Sequence, residues 1–167
     1  MQVFTYPLFY KVILRFGNIP LTLLLILYLI PSAVYVDKDL VLLIPLIIST
    51  FLIYFLNRQY ITLYKILPYK IIIEDGKLIC SDFLFSNREV IIRFEDIEKL
   101  KGGIFEGKLH GILKVYDGKN KIYIGFFNKI RNTKLLGTII LSKVNKNVYD
   151  EVVKNIIPKT IREKTKS

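Results

Sequence analysis

Two charge-free apolar stretches separated by a three-residue break constrain this chain more than any other feature. The stretches cover residues 19–36 and 40–56, and Asp37-Lys38-Asp39 lies between them. At about 1.5 Å per residue, each helix would be roughly 25–27 Å long, close to the about 30 Å thickness of a bilayer core. Because so short a break allows only a tight return, the pattern predicts a transmembrane helical hairpin over residues 19–57.

Two other structures also contain charge-free apolar stretches. A pair of buried helices would need a large soluble protein around them, whereas the rest of this chain has the composition of a separate, half-polar domain. A cleaved signal peptide would use Lys11 and Arg15 as its basic region, but Ala33 makes a poor cleavage site. The membrane hairpin is therefore the favoured prediction.

Basic residues are distributed unevenly along the chain. Of 25 lysines and arginines, 22 lie between Arg58 and Lys166, with 12 of the 14 acidic residues, so this region has a net charge of +10. The arm before the hairpin is also basic, whereas the turn at residues 37–39 carries a net charge of −1. Because cytoplasmic flanks are enriched in lysine and arginine, we expect a multi-pass inner (cytoplasmic) membrane protein with both termini in the cytoplasm.

The first 18 residues are predicted to form an amphipathic arm. Lys11 and Arg15 are four residues apart and would share one face of a helix. This pattern fits either an interfacial helix on anionic headgroups or the cytosolic foot of the first spanning helix.

The two spans have the character of an anchor. Pro31 and Pro45 fall inside them, where a proline can kink a membrane helix. Neither span contains an acidic or basic side chain, which argues against a proton relay or an ion pathway. The end of the second span and the residues after it have the mixture typical of the headgroup level, namely Tyr54, Arg58, Tyr60, Tyr64, Lys65, Tyr69 and Lys70.

After the hairpin, the apolar pattern changes from a helical to a strand period. Residues 70–74 and 77–81 flank an Asp-Gly dipeptide, which predicts a two-residue hairpin turn with Glu74 opposite Lys77. The residues predicted to share the buried face are Ile71, Ile73, Leu78 and Cys80. Cys80 is therefore expected to be a small core residue, since a reactive thiol needs an exposed, electropositive setting.

Further strands are predicted over residues 88–94, 98–105, 111–116 and 121–127. A slip in the alternation predicts a bulge near Ser81-Asp82. In the second clear hairpin, the residues expected to face inward are Leu113, Val115, Ile122 and Ile124, and those expected to face outward are Lys114, Tyr116, Lys121 and Tyr123.

The last part of the chain is less regular. Residues 128–134 are predicted to form a basic connection, and residues 135–141 fit either a helix or a strand, with a short strand at 138–141 preferred. A final amphipathic helix is expected with Asn147 as its cap and Pro158 as its end, followed by a basic disordered tail over residues 159–167.

Seven antiparallel strands and a terminal helix are the plan of pleckstrin-homology-like (PH-like) domains. The chain resembles bacterial membrane proteins that join a two-helix hairpin to such a domain. The resemblance is carried by the hairpin, by residues 70–78 directly after it, and by residues 91–97, which end in an Asp-Ile dipeptide. Phe94-Glu95 stands where the family often has a tryptophan. The resemblance implies a mainly-β cytoplasmic PH-like domain over residues 58–158, with no catalytic residues to transfer.

The sequence contains no motif for catalysis or metal binding. One cysteine and one histidine exclude an intramolecular disulfide, a cysteine zinc cluster and a multi-histidine site. His110 has no partner identifiable by spacing that would make it a general base, and a solvated turn fits the carboxylates at residues 95–98 better than a metal site. We therefore predict no enzymatic activity, no cofactor and no metal.

The net charge of the region after the hairpin could suggest nucleic acid. Its cations are interspersed with acids and tethered to a membrane, so the anionic inner leaflet explains the charge more economically, and we predict no nucleic-acid partner. The candidate residues for contact with headgroups or a partner are Lys11, Arg15, Arg58, Lys119, Lys121, Lys129, Arg131 and Lys134.

Three functions from different classes fit these observations. The first is a membrane-anchored scaffold or accessory subunit that binds other membrane-protein subunits or forms a homo-oligomer. The second is a reader of anionic lipid headgroups, using the lysines and arginines of residues 119–134. The third is a membrane-bound enzyme. Chains that co-purify in mild detergent would separate the first from the others.

Overall fold

The computed structural model describes residues 1–84, 86–108 and 110–164, with side chains up to residue 156. The chain forms two compact units. Leu8–Lys65 is the helical unit, and Met1–Pro7 together with the chain from Ile66 onward is the sheet unit. The helical unit is thus an insertion in the sheet unit. The sequence instead placed the domain start at residue 58 and the N-terminal arm outside the domain.

The helical unit consists of α1 (Leu8–Phe16), α2 (Asn18–Tyr35) and α3 (Leu43–Ile66, whose last residue belongs to the sheet unit). A single 3-10 turn over Leu40–Leu42 precedes α3, and the Asp39 carboxylate accepts a hydrogen bond from the Val41 N–H at 3.0 Å. Leu8–Tyr35 and Leu40–Ile66 are each long and apolar enough to span a membrane. The second is ten residues longer than predicted, because α3 continues past residue 56.

The end of α1 is held by hydroxyl groups of α3. The Tyr60 and Tyr64 hydroxyls each donate to the Leu14 carbonyl oxygen at 2.8 Å, and Tyr64 is also 3.0 Å from the Arg15 carbonyl oxygen. The last carbonyls of a helix have no partner within that helix, so these tyrosines supply one. These bonds join α1 to α3, so α1 is part of the packed helical unit.

The sheet unit contains seven strands in two antiparallel sheets. The four-stranded sheet consists of β1 (Gln2–Thr5), β2 (Pro68–Glu74), β3 (Lys77–Phe83) and β4 (Val90–Arg93), in that order. The three-stranded sheet consists of β5 (Ile97–Lys101), β6 (Ile112–Asp117) and β7 (Ile122–Phe127). Two helices follow, α4 (Thr133–Lys143) and α5 (Lys146–Lys164).

The core of the sheet unit draws on both sheets and on α4. Its largest fully buried side chains include Tyr69, Ile71, Phe83, Phe105, Leu113, Phe126 and Leu136. Tyr69 was predicted at the headgroup level, but it is buried and packs edge-on against Tyr6, with ring centroids 6.0 Å apart. The Phe127 N–H donates to the Tyr6 hydroxyl at 2.7 Å. The contact with Tyr6 makes Tyr69 a core residue, whereas Tyr60 and Tyr64 are only half-buried.

The first predicted hairpin is confirmed in detail. Glu74 pairs with Lys77, Ile73 with Leu78, and Ile71 with Cys80. Cys80 is fully buried, as predicted. The alternation of residues 90–94 is also confirmed, because Ile92 and Phe94 are buried whereas Ile91 and Arg93 are exposed.

The predicted irregularities lie elsewhere. The β2–β3 register continues unchanged from Glu74–Lys77 to Pro68–Phe83, so the bulge expected near Ser81-Asp82 is wrong. A left-handed Asp82, with φ of 58°, lets Cys80 and Phe83 both face the core. A register shift occurs instead between Ile97 and Lys99 in β5.

The strand expected over residues 98–105 is shorter than predicted. β5 ends at Lys101, because Gly102 and Gly103 adopt positive φ values of 76° and 48° and lead into a 3-10 turn over Gly103–Glu106. A β-carbon on Gly102 would collide with the Ile112 carbonyl oxygen. The glycines therefore stop the strand and allow β6 to approach closely.

One residue of the second hairpin is exposed although the prediction placed it in the core. Leu113, Val115 and Ile124 are buried as expected, but Ile122 is exposed. Its partner across the sheet is Asp117, whose buried carboxylate accepts hydrogen bonds from the Asn120 backbone N–H at 3.0 Å and side-chain amide at 2.7 Å. The Asp117 carboxylate occupies the buried position beside the turn and bonds Asn120. The apolar Ile122 side chain therefore remains outside the core.

The seven strands of the structure are not the seven predicted ones. The strand favoured at residues 138–141 is wrong, because that segment lies within α4, where burial of Thr133, Leu136, Gly137 and Ile140 follows a helical spacing. The remaining strand is β1, at the N-terminus, which pairs with β2 from Gln2–Ile73 to Thr5–Lys70.

The final helix is longer than predicted at both ends. It begins at Lys146, one residue before the predicted cap at Asn147, and the Asn145 carbonyl oxygen accepts from the Val148 and Tyr149 N–H groups. The apolar stripe of this amphipathic helix was expected to contain Val148, Val152, Val153 and Ile156; Val148 and Val152 are buried, whereas Val153 and Ile156 are half-buried. The predicted end at Pro158 is wrong, since α5 continues to Lys164. The last three residues of the predicted tail, 165–167, lie outside the described residues.

Candidate functional site

The predicted contact residues are spread over both units. Lys11 and Arg15 lie on α1, and Arg58 lies on α3, where it is 3.2 Å from the Tyr54 hydroxyl. The others flank β7, with Lys119 and Lys121 before it and Lys129, Arg131 and Lys134 after it. The six residues of β7 span about 20 Å at about 3.3 Å per residue. One ligand of headgroup size could not contact both groups.

The connection from β7 to α4 has a defined local structure. The Thr133 hydroxyl lies within hydrogen-bond distance of the Asn128 and Ile130 carbonyl oxygens, at 3.0 and 2.6 Å. The Arg131 N–H donates to the Thr5 carbonyl oxygen at 3.0 Å, and Ile130 is buried. These bonds hold the connection beside the end of β1, with the Lys129 and Arg131 side chains exposed.

A second basic surface lies on the outer face of the three-stranded sheet. It consists of Lys99, Lys101, Lys114, Tyr116 and Tyr123, and we call it the basic-aromatic face. The strand register places Lys101 opposite Lys114, and Lys99 opposite Tyr116. Sequence reasoning predicted the outward direction of Lys114, Tyr116 and Tyr123 but did not select these residues as a site, because the pairing with β5 was not predicted.

The helical unit has a polar cluster at one end of its paired helices. The Asn18 side-chain amide donates to the Asn57 Oδ1 at 2.8 Å, and the Asn57 amide is 3.3 Å from the Thr22 hydroxyl and 2.8 Å from the Ile53 carbonyl oxygen. The buried residues of α2 and α3 are both serines, Ser32 and Ser49. Small residues allow membrane helices to approach closely, and amide side chains connect them by hydrogen bonds.

An apolar groove lies near the turn of the helical unit. Its volume is about 580 Å³, and it is lined by Leu27, Tyr28, Pro31, Ser32, Tyr35, Leu42 and Pro45. Both prolines that the sequence placed inside the spans lie on its wall. A lining of this composition suits a lipid chain or an apolar helix side chain.

The cysteine and the histidine belong to different parts of the sheet unit, since Cys80 lies in β3 and His110 precedes β6. Burial raises the pKa of the Cys80 thiol well above its usual range, which removes the thiolate that nucleophilic chemistry needs. His110 is exposed. Within the described part of the chain, no group of three histidine, cysteine or carboxylate side chains is arranged to hold a metal ion.

A polar pocket of about 380 Å³ surrounds the β2–β3 turn. It is lined by Asp75, Gly76, Lys77, Arg93 and Glu95. Arg93 and Glu95 form an exposed pair at 3.4 Å, and the acidic and basic residues are equal in number. Its charge therefore favours neither an anionic nor a cationic ligand.

No protein-family model matches this chain, and neither a curated protein nor a solved structure matches it.

Proposed function

We propose that this protein is a non-enzymatic, membrane-anchored scaffold or accessory subunit that presents a PH-like domain at the cytoplasmic face of the inner membrane. The observation that carries the proposal is the insertion of the helical unit between β1 and β2, which are neighbouring strands of one sheet. Two chain connections would therefore tie the domain to its anchor, which suits a fixed platform better than a freely diffusing module.

The surface of the helical unit supports the membrane assignment. Within the most apolar windows of the two candidate spans, 0% and 6% of the residues are buried. A core helix of a soluble protein would be mostly buried, and a soluble monomer rarely exposes so large an apolar surface. A cleaved signal peptide is also disfavoured, because cleavage would remove β1 from its pairing with β2.

The pairing of β1 with β2 supports a two-crossing topology. Thr5 pairs with Lys70, so the insertion leaves and re-enters the same sheet at neighbouring strands. A segment whose two ends belong to one folded domain crosses a bilayer an even number of times. The basic flanks and the acidic turn then favour a cytoplasmic domain.

The strand order supports the PH-like interpretation. A four-stranded and a three-stranded antiparallel meander, followed by a C-terminal helix, agree with the seven-strand plan of that fold. In this interpretation the membrane hairpin would be an insertion after the first strand. A fragment that contains only the chain after the hairpin would lack that strand, so binding experiments require the full chain.

The proposed partner is another membrane-protein chain that covers part of the exposed helical unit. The groove at the turn is a concave feature of that unit and would accept a side chain of a partner helix. The arrangement of cations at opposite ends of β7 gives less support to the alternative, a headgroup-specific reader.

Purification of the tagged full chain in mild detergent tests the proposal. We expect a companion chain at fixed stoichiometry, which Leu27→Trp, at an exposed position in the groove wall, should displace by filling the groove. The matched variant Ile48→Trp, at an exposed position of α3, should retain it. A chain that elutes alone in several mild detergents would contradict the scaffold assignment, and a co-purified lipid of one headgroup class would favour the reader.

A further inference from the structure

We propose that the basic-aromatic face, formed by Lys99, Lys101, Lys114, Tyr116 and Tyr123, rests on the anionic lipid surface of the membrane that holds the helical unit. This inference depends on the proposed membrane anchoring. It adds a contact surface that differs from the lysines and arginines of residues 119–134.

The register places these side chains on one side of the sheet. Lys99 pairs with Tyr116 and Lys101 with Lys114 across β5 and β6, and Tyr116 pairs with Tyr123 across β6 and β7. Paired residues of an antiparallel sheet point to the same face. The two tyrosine rings have centroids 4.4 Å apart, so they form one aromatic surface beside the lysines.

The positions of the lysines destabilise the sheet. Like charges directly opposite each other across two strands are destabilising, and Lys101 and Lys114 occupy such positions. Among the described residues, Lys99, Lys101 and Lys114 have no ion-pair or hydrogen-bond partner for their ammonium groups. The Glu98 carboxyl group lies against Gly118 in the turn, at the far end of the face from Lys101. An external anion would relieve the repulsion.

The position of Ile66 indicates which anionic surface is within reach. Ile66 ends α3, and its side chain would lie 3.3 Å from a β-carbon at Gly125. Gly125 pairs with Lys114 and therefore belongs to the same side of the sheet. Ile66 therefore connects this side of the sheet to a helix that spans the bilayer in our proposal. Anionic headgroups of that bilayer would attract the lysines of the basic-aromatic face.

The tyrosines favour a lipid surface over an acidic protein segment. Tyrosine rings are enriched at the headgroup level, where the apolar body and the hydroxyl both find suitable surroundings. Tyr123 is 44% exposed although it is paired with Tyr116 within the sheet. Such a surface can make a broad, weakly specific contact with lipid headgroups, for which no phosphate-binding pocket is needed.

The test uses the full chain in nanodiscs. Tyr123→Cys is labelled with an environment-sensitive fluorophore, and the unsubstituted chain measures any background from buried Cys80. We expect quenching by acrylamide, a neutral aqueous quencher that the lipid charge does not repel, to fall several-fold when phosphatidylglycerol is added to phosphatidylcholine, and to recover at high salt. Incorporation into discs is followed separately, so a failure of anchoring is distinguishable from a failure of the face.

Charge-reversal variants complete the test. Lys101→Glu with Lys114→Glu retains the cross-strand repulsion but should abolish the protection, whereas Lys146→Glu with Lys154→Glu, at exposed positions of α5, should retain it. Equal quenching in neutral and anionic discs would overturn the proposal. Protection that requires two chains per disc would assign the face to a second copy and would also overturn it.

Discussion

The side-chain amide of Asn18 donates a hydrogen bond to the Asn57 side-chain oxygen, at 2.8 Å, and joins α2 to α3. Replacing Asn57 with Leu removes this bond and the one to Thr22. We expect a loss of about 0.6–1.7 kcal/mol in the stability of the helix pair, measured by unfolding in mixed micelles.

Thr50→Val provides the matched control for that prediction. The Thr50 hydroxyl bonds the Leu46 carbonyl of its own helix, at 2.8 Å, so its loss should leave the helix pair unchanged. An equal effect of both variants would mean that Asn57 does not act between the helices.

The N-terminal strand should be essential to the sheet unit. Phe4 is 3% exposed whereas its neighbour Val3 is 50% exposed. Phe4→Ala should cost about 3–5 kcal/mol, the range for deleting a buried aromatic ring, and Val3→Ala much less. Hydrogen exchange of β2 in the full chain would measure the difference. Similar exchange in the two variants would contradict the pairing of β1 with β2.

The apolar spans should not tolerate a charge. Leu25→Asp, near the centre of α2, or Leu52→Asp, near the centre of the Leu40–Ile66 span, should raise the free energy of insertion by roughly 2.5–3.5 kcal/mol, so the chain should lose membrane integration. Fractionation after an alkaline carbonate wash would measure this, with Leu25→Met and Leu52→Met as controls. Retention of both aspartate variants would show that the hairpin is not the anchor.

The orientation can be tested by labelling cysteines from outside the cell. A cysteine at Lys38, in the predicted outer turn, should react with an impermeant reagent, and one at Lys119 should react only after the membrane is opened. The reverse pattern would invert the topology. Protection of both positions would call the span assignment into question.

The buried thiol should make the stability of the sheet unit fall at alkaline pH. Burial raises the folded-state pKa of Cys80, so the unfolded chain loses the thiol proton at a lower pH than the folded chain does. The folded state therefore keeps its full stability below the ordinary thiol pKa of about 8.5 and loses stability as the pH rises above it.

Chemical denaturation across that pH range would measure the loss of stability. Cys80→Ala should remove the part of the pH dependence that comes from the thiol. Alkylation of Cys80 should follow the rate of unfolding and not the pH alone. Rapid alkylation of the folded chain would contradict the burial of the thiol.

Local patterns in the sequence determined the elements whose contacts are close along the chain. The Asp75-Gly76 turn and the alternation around it predicted the β2–β3 register to the residue, because a two-residue turn leaves only one register that buries Ile71, Ile73 and Leu78. The two apolar stretches likewise predicted α2 and α3, since length and composition alone decide whether a helix can span a bilayer.

Only the tertiary structure decided which distant segments meet. β1 is a strand because the edge of β2, more than sixty residues away, supplies its hydrogen bonds, and residues 138–141 are helical because Leu136, Gly137 and Ile140 are buried together. The basic-aromatic face likewise depends on the pairing of β5 with β6, which places Lys101 beside Lys114. Propensity within a short window contains no information about these partners, so the sequence by itself determined the hairpins and spans, and long-range packing determined how they were combined.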